Sequence, residues 1–258
     1  MKFFDTHCHI ALIHEDPIEQ LIVIQEATQA SVAKIVSICN NINDFTEIYN
    51  NLATATNVYY GVGVSPTEVK NIPHDWEYKL ESALKLPRVI AIGETGLDYH
   101  KERGSKSQQV ELFIRHLELA QKFNLPAIIH NREAGEDVLD ILKSKMPSKG
   151  VVFHCYSEDV NYAKEALDLN CYFSFAGNLT FQKARKLHET VAMLPLSRIL
   201  VESEAPFMTP ARYLNKRNKP AYIGETVNYI AKIKNQDVEE VANILYQNAL
   251  GFFNISEN

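Results

Sequence analysis

The strongest constraint on the fold is a regular alternation of short apolar runs with segments of helical periodicity. Eight runs read as strands: Lys2–Phe4, Ala33–Ile38, Val58–Val64, Val89–Ile92, Ala127–Ile129, Gly150–Phe153, Cys171–Phe175 and Ile199–Val201. Helical spacing fills the intervals: Ile18 to Ala30, Ile42–Thr54, Gln108–Phe123, Glu133–Lys145, Val160–Leu169, Phe181–Met193, Glu225–Lys234 and Val238–Phe253. In Gln108–Phe123, Leu112, Phe113, Leu117, Leu119 and Ala120 form an apolar stripe, with Glu111, Arg115 and Glu118 left for water. Strands that alternate with helices form a parallel sheet, because a parallel pair needs a crossover. The runs VVF, VIAI and AIIH are apolar throughout, as strands buried on both faces are. About eight such units close a (β/α)8 TIM barrel, and 258 residues suit one such domain spanning 1–258.

Composition narrows the function classes. With 46% hydrophobic residues and only 10 Gly and 10 Pro, the chain is neither disordered nor linker-rich. A formal charge of −6 argues against a protein that coats duplex nucleic acid, yet leaves room for a local basic patch that grips a single-stranded end. Cys8, Cys39, Cys155 and Cys171 lie in or beside apolar runs and none forms a C-x-x-C pair, so they read as reduced thiols. No signal peptide and no membrane-spanning run is visible. The expected location is the cytoplasm, with no membrane and no obligate protein partner.

Residues able to hold a metal gather at the carboxyl ends of the expected strands. Asp5, His7 and His9 follow the first, Glu94 the fourth, His130 the fifth, His154 the sixth, and Glu202 and Glu204 the eighth. In a barrel those ends meet at one mouth, where active sites sit. His-x-His places two imidazoles on one side of an extended segment. Imidazole with carboxylate suits transition metals better than Mg or Ca. The number of donors exceeds a closed four-ligand site, so two metals that share a bridging carboxylate, or one metal with open positions, are both compatible. His14, His74, His116 and His188 fall away from those ends and read as surface residues; His100 is either a substrate contact or a solvated loop residue. Cys8 and Cys155 are expected behind the ligands, since neighbouring strand side chains face opposite ways. Gly-rich phosphate loops and G-x-S-x-G elbows are absent, so no organic cofactor is expected. Lys101, Arg103, Arg132, Arg212, Lys216, Arg217 and Lys219 follow strands at the same mouth, and Tyr99, Phe207 and Tyr213 are interleaved with them as planes for base stacking.

The segments DTHCH (Asp5–His9), GETGLDYH (Gly93–His100), LPAIIHNREA (Leu125–Ala134), VVFHCYS (Val151–Ser157), YFSFAGNLTF (Tyr172–Phe181) and LVESEAP with NKRNKPAYI (Leu200–Ile223) resemble the TatD family of metal-dependent hydrolases, the TatD-type deoxyribonucleases. The resemblance runs from first strand to last helix. It implies a TIM barrel with one or two divalent cations (Zn, Mg or Mn) and carries His7, His9, Glu94, His130 and His154 over as ligands, Glu94 as the bridge; Glu204 is a further candidate ligand. Family members trim DNA, often from the 3′ end. The family usually has Asp where this chain has Glu204, a carboxylate longer by about 1.5 Å.

The expectation is therefore hydrolysis of DNA phosphodiesters by a water whose pKa the cations lower towards ~7. Glu94 and Glu204 are the catalytic carboxylates, Glu204 the one that orients or deprotonates the water. Arg132, Lys216, Arg217 and Lys219 are the residues expected to bind substrate, with DNA 3′ ends or another phosphodiester as partner. Two rivals stay open: an amidohydrolase-type enzyme that cleaves a C–N or ester bond of a small or aminoacyl substrate, and a non-catalytic barrel.

Overall fold

Eight parallel strands lie side by side in sequence order, β1 to β8, in the computed structural model, which describes residues 1–39 and 41–257. They are β1 (Phe3–Cys8), β2 (Val32–Cys39), β3 (Val58–Val62), β4 (Val89–Asp98), β5 (Ala127–Arg132), β6 (Val151–Phe153), β7 (Tyr172–Phe175) and β8 (Ile199–Val201). The helices are α1 (Ile10–Ile13), α2 (Pro17–Gln29), α3 (Phe45–Asn51), α4 (Trp76–Ala83), α5 (Lys106–Phe123), α6 (Gly135–Lys145), α7 (Val160–Asp168), α8 (Arg185–Met193), α9 (Ile223–Lys234) and α10 (Val238–Phe253). This is the TIM barrel that the alternation demands.

Local chemistry sets the element ends. In α2, Asp16 caps by accepting from the Ile18 and Glu19 N–H groups, and Pro17 takes the first turn, where its missing donor costs nothing. Ser105 and Gln108 form a reciprocal capping box at the start of α5, and Asn124 ends that helix in the left-handed conformation that asparagine tolerates. Two apolar layers result. Val36, Ile38, Ala91, Ile128, Val152 and Leu200 fill the barrel interior, and the last turns of α10 cover its base with Phe252 and Phe253. The second layer lies between the strands and the helices.

Two features differ from the sequence-based expectation. β1, β4 and β5 run further than their apolar runs, so Asp5, His7, Glu94 and His130 lie within strands rather than after them. The backbone keeps its ladder where the inward side chains turn polar, as the register Gly96↔His130 and Asp98↔Arg132 shows. A hydrophobicity criterion ends at the first polar residue; hydrogen bonding does not. At Gly96 (φ +134°) a Cβ would stand only 2.0 Å from the His130 carbonyl oxygen, so glycine is required where β4 presses on β5. The second feature is the unexpected α4, whose single turn-and-a-half of apolar contacts leaves little periodicity to read.

His116 corrects the surface assignment. It is fully buried in α5, stacked on Trp76 at 5.0 Å between ring centroids. Its Nδ1–H donates to the Leu112 carbonyl at 2.8 Å, and its Nε2 accepts the Val64 N–H at 3.0 Å. That second bond fixes the segment after β3, which carries Ser65, Thr67 and Glu68 to the barrel mouth. His188 is half-buried, while His14 and His74 are exposed. Burial pushes the His116 pKa down to about 4. The unfolded chain takes up this proton near pH 6.5, the folded chain only near 4, so stability falls as the pH drops through that window, by about 3 kcal/mol at its lower end. Urea unfolding at pH 7, 5.5 and 4.5 should show this loss in the wild type and a shallower one in His116→Gln; parallel profiles would refute the assignment.

Candidate metal centre

The mouth of the barrel brings together residues almost 200 positions apart. The Glu204 N–H donates to the His7 carbonyl at 3.0 Å, and the His9 N–H to the Ala205 carbonyl at 2.8 Å. The Asp5 carboxylate accepts from the Ser203 N–H at 2.8 Å and from the His7 N–H at 3.3 Å. These bonds sew β1 to the chain beyond β8 and place His7, His9 and Glu204 at one point. Glu204 itself is left-handed (φ +54°), a conformation that costs an amino acid with a Cβ on the order of 1 kcal/mol.

Two donor triads face each other. His7, His9 and Glu204 form one; Glu94, His130 and His154 form the other, each with its ligand atoms within 4.8 Å. In the first, His7 Nε2 lies 3.2 Å from His9 Nε2 and 3.2 Å from Glu204 Oε2. In the second, Glu94 Oε1 lies 2.5 Å from His130 Nδ1 and 3.2 Å from His154 Nε2. Glu94 Oε2 turns to the first triad, 3.9 Å from His7 Nε2. One carboxylate thus addresses both groups, the shape of a bridge. The His7 and His154 rings stack at 4.1 Å.

The donor set fits a cation. Asp5, Glu94, Asp98, Glu202 and Glu204 are all buried, and among the described residues no lysine or arginine forms an ion pair with any of them. Glu204 Oε2, Glu202 Oε2 and His154 Nδ1 are buried without a hydrogen-bond partner. Buried acids in such number need positive charge nearby. With protein groups alone, the imidazoles supply it. Burial opposes the charge on His154, but Glu94, Glu202 and Glu204 raise its pKa well above the ordinary value. Burial likewise opposes ionisation of Glu94, and His154 and His130 override it, holding that carboxyl well below its usual range. His7, boxed in by burial and by His154, is pushed down. Burial, with the Glu202 charge adding to it, carries Asp5 up to about 7 against the hydrogen bonds from Ser203 and His7.

One acid, Asp98, was hidden from a strand-end search, and Glu202, found by that search, stands beside a donor rather than among the two triads. Asp98 lies four residues beyond Glu94 on the same face of β4, and its Oδ2 meets His130 Nε2 at 3.2 Å. Glu202 Oε1 accepts the Cys155 N–H at 2.7 Å and lies 3.6 Å from His154 Nδ1. Asp98 occupies the ring nitrogen of His130 that faces away from Glu94 and so sets the orientation of that imidazole, while Glu202 lies near the corresponding nitrogen of His154 without a hydrogen bond to it. Cys155 corrects the expectation for that thiol: it lines the cavity, because a left-handed residue (φ 42°) after the end of β6 escapes strand alternation. Cys8 is buried as expected.

The triads open into a cavity of about 690 Å³. Arg103, Arg132, Asn131, Ser65, Thr67 and Glu68 line it beside the donors, with Leu12, Phe207 and Met208 on the opposite lip. The cations after β8 stand elsewhere. Lys219 Nζ pairs with Glu26 at 2.8 Å, Lys216 rests over Tyr213, Arg212 pairs with Glu225, and Arg217 donates to the Leu12 carbonyl at 2.5 Å. His100 is tied to Glu133, Tyr99 to Asp137, and Tyr213 stacks on Tyr222. Phe207 keeps an exposed ring at the mouth.

Residues 4–254 match the family model described as TatD related DNase. The chain belongs to the TatD family of metal-dependent hydrolases. It is 34% identical over 255 residues to YabD of Bacillus subtilis (strain 168), an uncharacterized metal-dependent hydrolase, covering 98% of this chain and 99% of that protein. A second uncharacterized metal-dependent hydrolase, YcfH of Escherichia coli (strain K12), is 33% identical over 258 residues, covering 99% and 97%. The crystal structure of YJJV, a TatD homologue from Escherichia coli K12, superposes with a TM-score of 0.91 at 26% identity over 98% of both chains. The donor geometry and the family agree on a metal site, and no helix among the described residues is long and apolar enough to cross a membrane.

Removing the Asp98 carboxylate should loosen its imidazole. Competition with a chromogenic chelator should give Asp98→Asn an affinity for Zn or Mn about 10–100-fold below wild type, with an unchanged circular dichroism spectrum. Equal affinities would show that His130 needs no second partner.

Proposed function

We propose that this TatD protein is a metal-dependent deoxyribonuclease that hydrolyses phosphodiester bonds at single-stranded DNA ends, with a 3′→5′ exonuclease as the leading form. The observation that carries the reading is the pair of donor triads sharing Glu94, set at the floor of a cavity whose lip bears arginines and an exposed aromatic ring. His7, His9, Glu94, His130, His154 and Glu204 would hold one or two divalent cations. Bound there, such cations supply Lewis acidity, polarising a phosphoryl oxygen and acidifying a water.

The protein's own groups do the rest. Glu94 stays ionised because His154 and His130 outweigh its burial, so it keeps both oxygens available to the two triads. Glu204 stays ionised through His7, His154 and His9 against the same burial, and its Oε2 orients the attacking water and accepts its proton. The longer side chain reaches His7 and His9 from a left-handed backbone, which keeps the carboxylate function with one more methylene. Asp98 holds the His130 ring in place, and the Glu202 carboxylate places negative charge beside His154. Phe207 offers a face for a terminal base. Free thiols at all four cysteines suit the reducing cytoplasm, where we place the protein.

One observation favours the rival hydrolysis of an ester or C–N bond. A second cleft, about 400 Å³, opens beside His9 between Glu15, Asp44, Glu47 and Glu68, with no lysine or arginine in its walls. Such a wall attracts an ammonium group and repels phosphate.

A 3′-labelled oligodeoxynucleotide, bis(4-nitrophenyl) phosphate and a panel of aminoacyl esters and amides, each assayed with Mg, Mn and Zn, separate the two. The nuclease reading predicts turnover of both diesters, a loss of at least about a hundredfold in His130→Ala, and a KM for the oligonucleotide that climbs with salt. Turnover of esters alone would overturn it. Phe207→Ala should raise the oligonucleotide KM roughly 5–150-fold, the range for one lost base–aromatic stack. An unchanged KM would remove Phe207 from the substrate path.

A further inference from the structure

We propose that Arg103, with Arg132 beside it, forms a subsite for the phosphate next to the one being cleaved, so that the nucleic-acid strand leaves the metal centre across β4 and β5. The proposal rests on the phosphodiester reading above and adds where the strand runs and which residue grips it.

Arg103 lines the metal cavity, yet among the described residues its side chain makes no hydrogen bond or ion pair, and its Nε is buried without a partner. An arginine donor out of water without an acceptor is costly, and guanidinium forks match phosphate oxygens. The loop that carries it is built rather than slack. Tyr99 Oη donates to Asp137, His100 Nδ1 meets Glu133 at 2.5 Å, and the Tyr99 N–H donates to the Arg132 carbonyl, which ties the loop after β4 to the loop after β5. Gly104 follows Arg103 at φ +95°, where a Cβ would come 2.5 Å from Val69. That close contact seats the loop against the Pro66–Asn71 turn.

Arg132 stands two residues beyond His130 on β5, hence on the same face and about 6.6 Å along the strand. That is one nucleotide step away, not on top of the donors. It pairs in register with Asp98 and is exposed at the lip. The cleft beside His9 is walled by Glu15, Asp44 and Glu47, and Glu68 lines both that cleft and the metal cavity. Carboxylates disfavour a polyanion beside His9, whereas Arg103 and Arg132 favour one over β4 and β5. Lys216, Arg217 and Lys219, spent on Tyr213, Leu12 and Glu26, are outside this path.

The test uses the metal-loaded protein and Arg103→Ala, Arg103→Lys and Arg132→Ala. Steady-state kinetics on a pentadeoxynucleotide, which has neighbouring phosphates, are set against bis(4-nitrophenyl) phosphate, which has one. Fluorescence anisotropy with a labelled phosphorothioate pentanucleotide reads binding without turnover. Arg103→Ala should raise the pentanucleotide KM and the anisotropy Kd about 10–50-fold, with a fall in kcat/KM at least tenfold greater than for the single-phosphate diester, and Arg103→Lys should recover only part. Equal losses on the two substrates would move Arg103 to the scissile phosphate and overturn the proposal, as would a KM and Kd equal to wild type. A wild type inert towards both diesters would fail the phosphodiester reading alone. The anisotropy then still decides: weaker binding in Arg103→Ala keeps the anion subsite, and no difference removes it.

Discussion

Everything in the site depends on how the two edges of the sheet meet. β1 and the chain beyond β8 are joined by the Glu204-to-His7 and His9-to-Ala205 backbone bonds and by the Asp5 carboxylate, which accepts from Ser203. Without that seam, His7 and His9 would lie on one free edge and Glu204 on another. Closure satisfies backbone groups that an open edge leaves exposed, and in the same act it fixes the spacing of the donors. Asp5 is the clearest case of a residue whose contribution is architectural. It has the chemistry of a ligand and sits two residues from one, but its Oδ1 is occupied by two N–H donors.

Charge supplies the second constraint. Five buried carboxyl groups around four imidazoles cannot be settled by solvent, and no lysine or arginine pairs with them among the described residues. A cation held among these donors would balance that charge. The mouth above is asymmetric as well, with arginines over β4 and β5 and carboxylates beside His9.

The fold was legible because continuous apolar runs alternate with segments of period 3.6 over most of the chain, the stretch between Val64 and Val89 excepted, and every run read as a strand overlaps one in the barrel. Strand length was not, since polar inward residues such as Glu94 and His130 keep their ladder bonds while losing their hydrophobic signature. The donors His7, His9, Glu94, His130, His154 and Glu204 could be gathered from sequence because strand ends converge. Asp98 could have been found from its even spacing to Glu94. His116 could not, because its burial follows from Trp76 and Val64, which approach from other elements. The direction of Lys216, Arg217 and Lys219 was equally out of reach, as loop charges choose partners such as Glu26 only in three dimensions.

The seam has a consequence for biosynthesis. Its two halves are separated by 198 residues, and the helix that stoppers the bottom of the cylinder is the last to be made. A ribosome therefore holds a chain with imidazoles but no completed ligand cage until translation is almost over, and pairings so distant in sequence form slowly. A chain that ends before Glu204 lacks one donor of the triad built on His7 and His9.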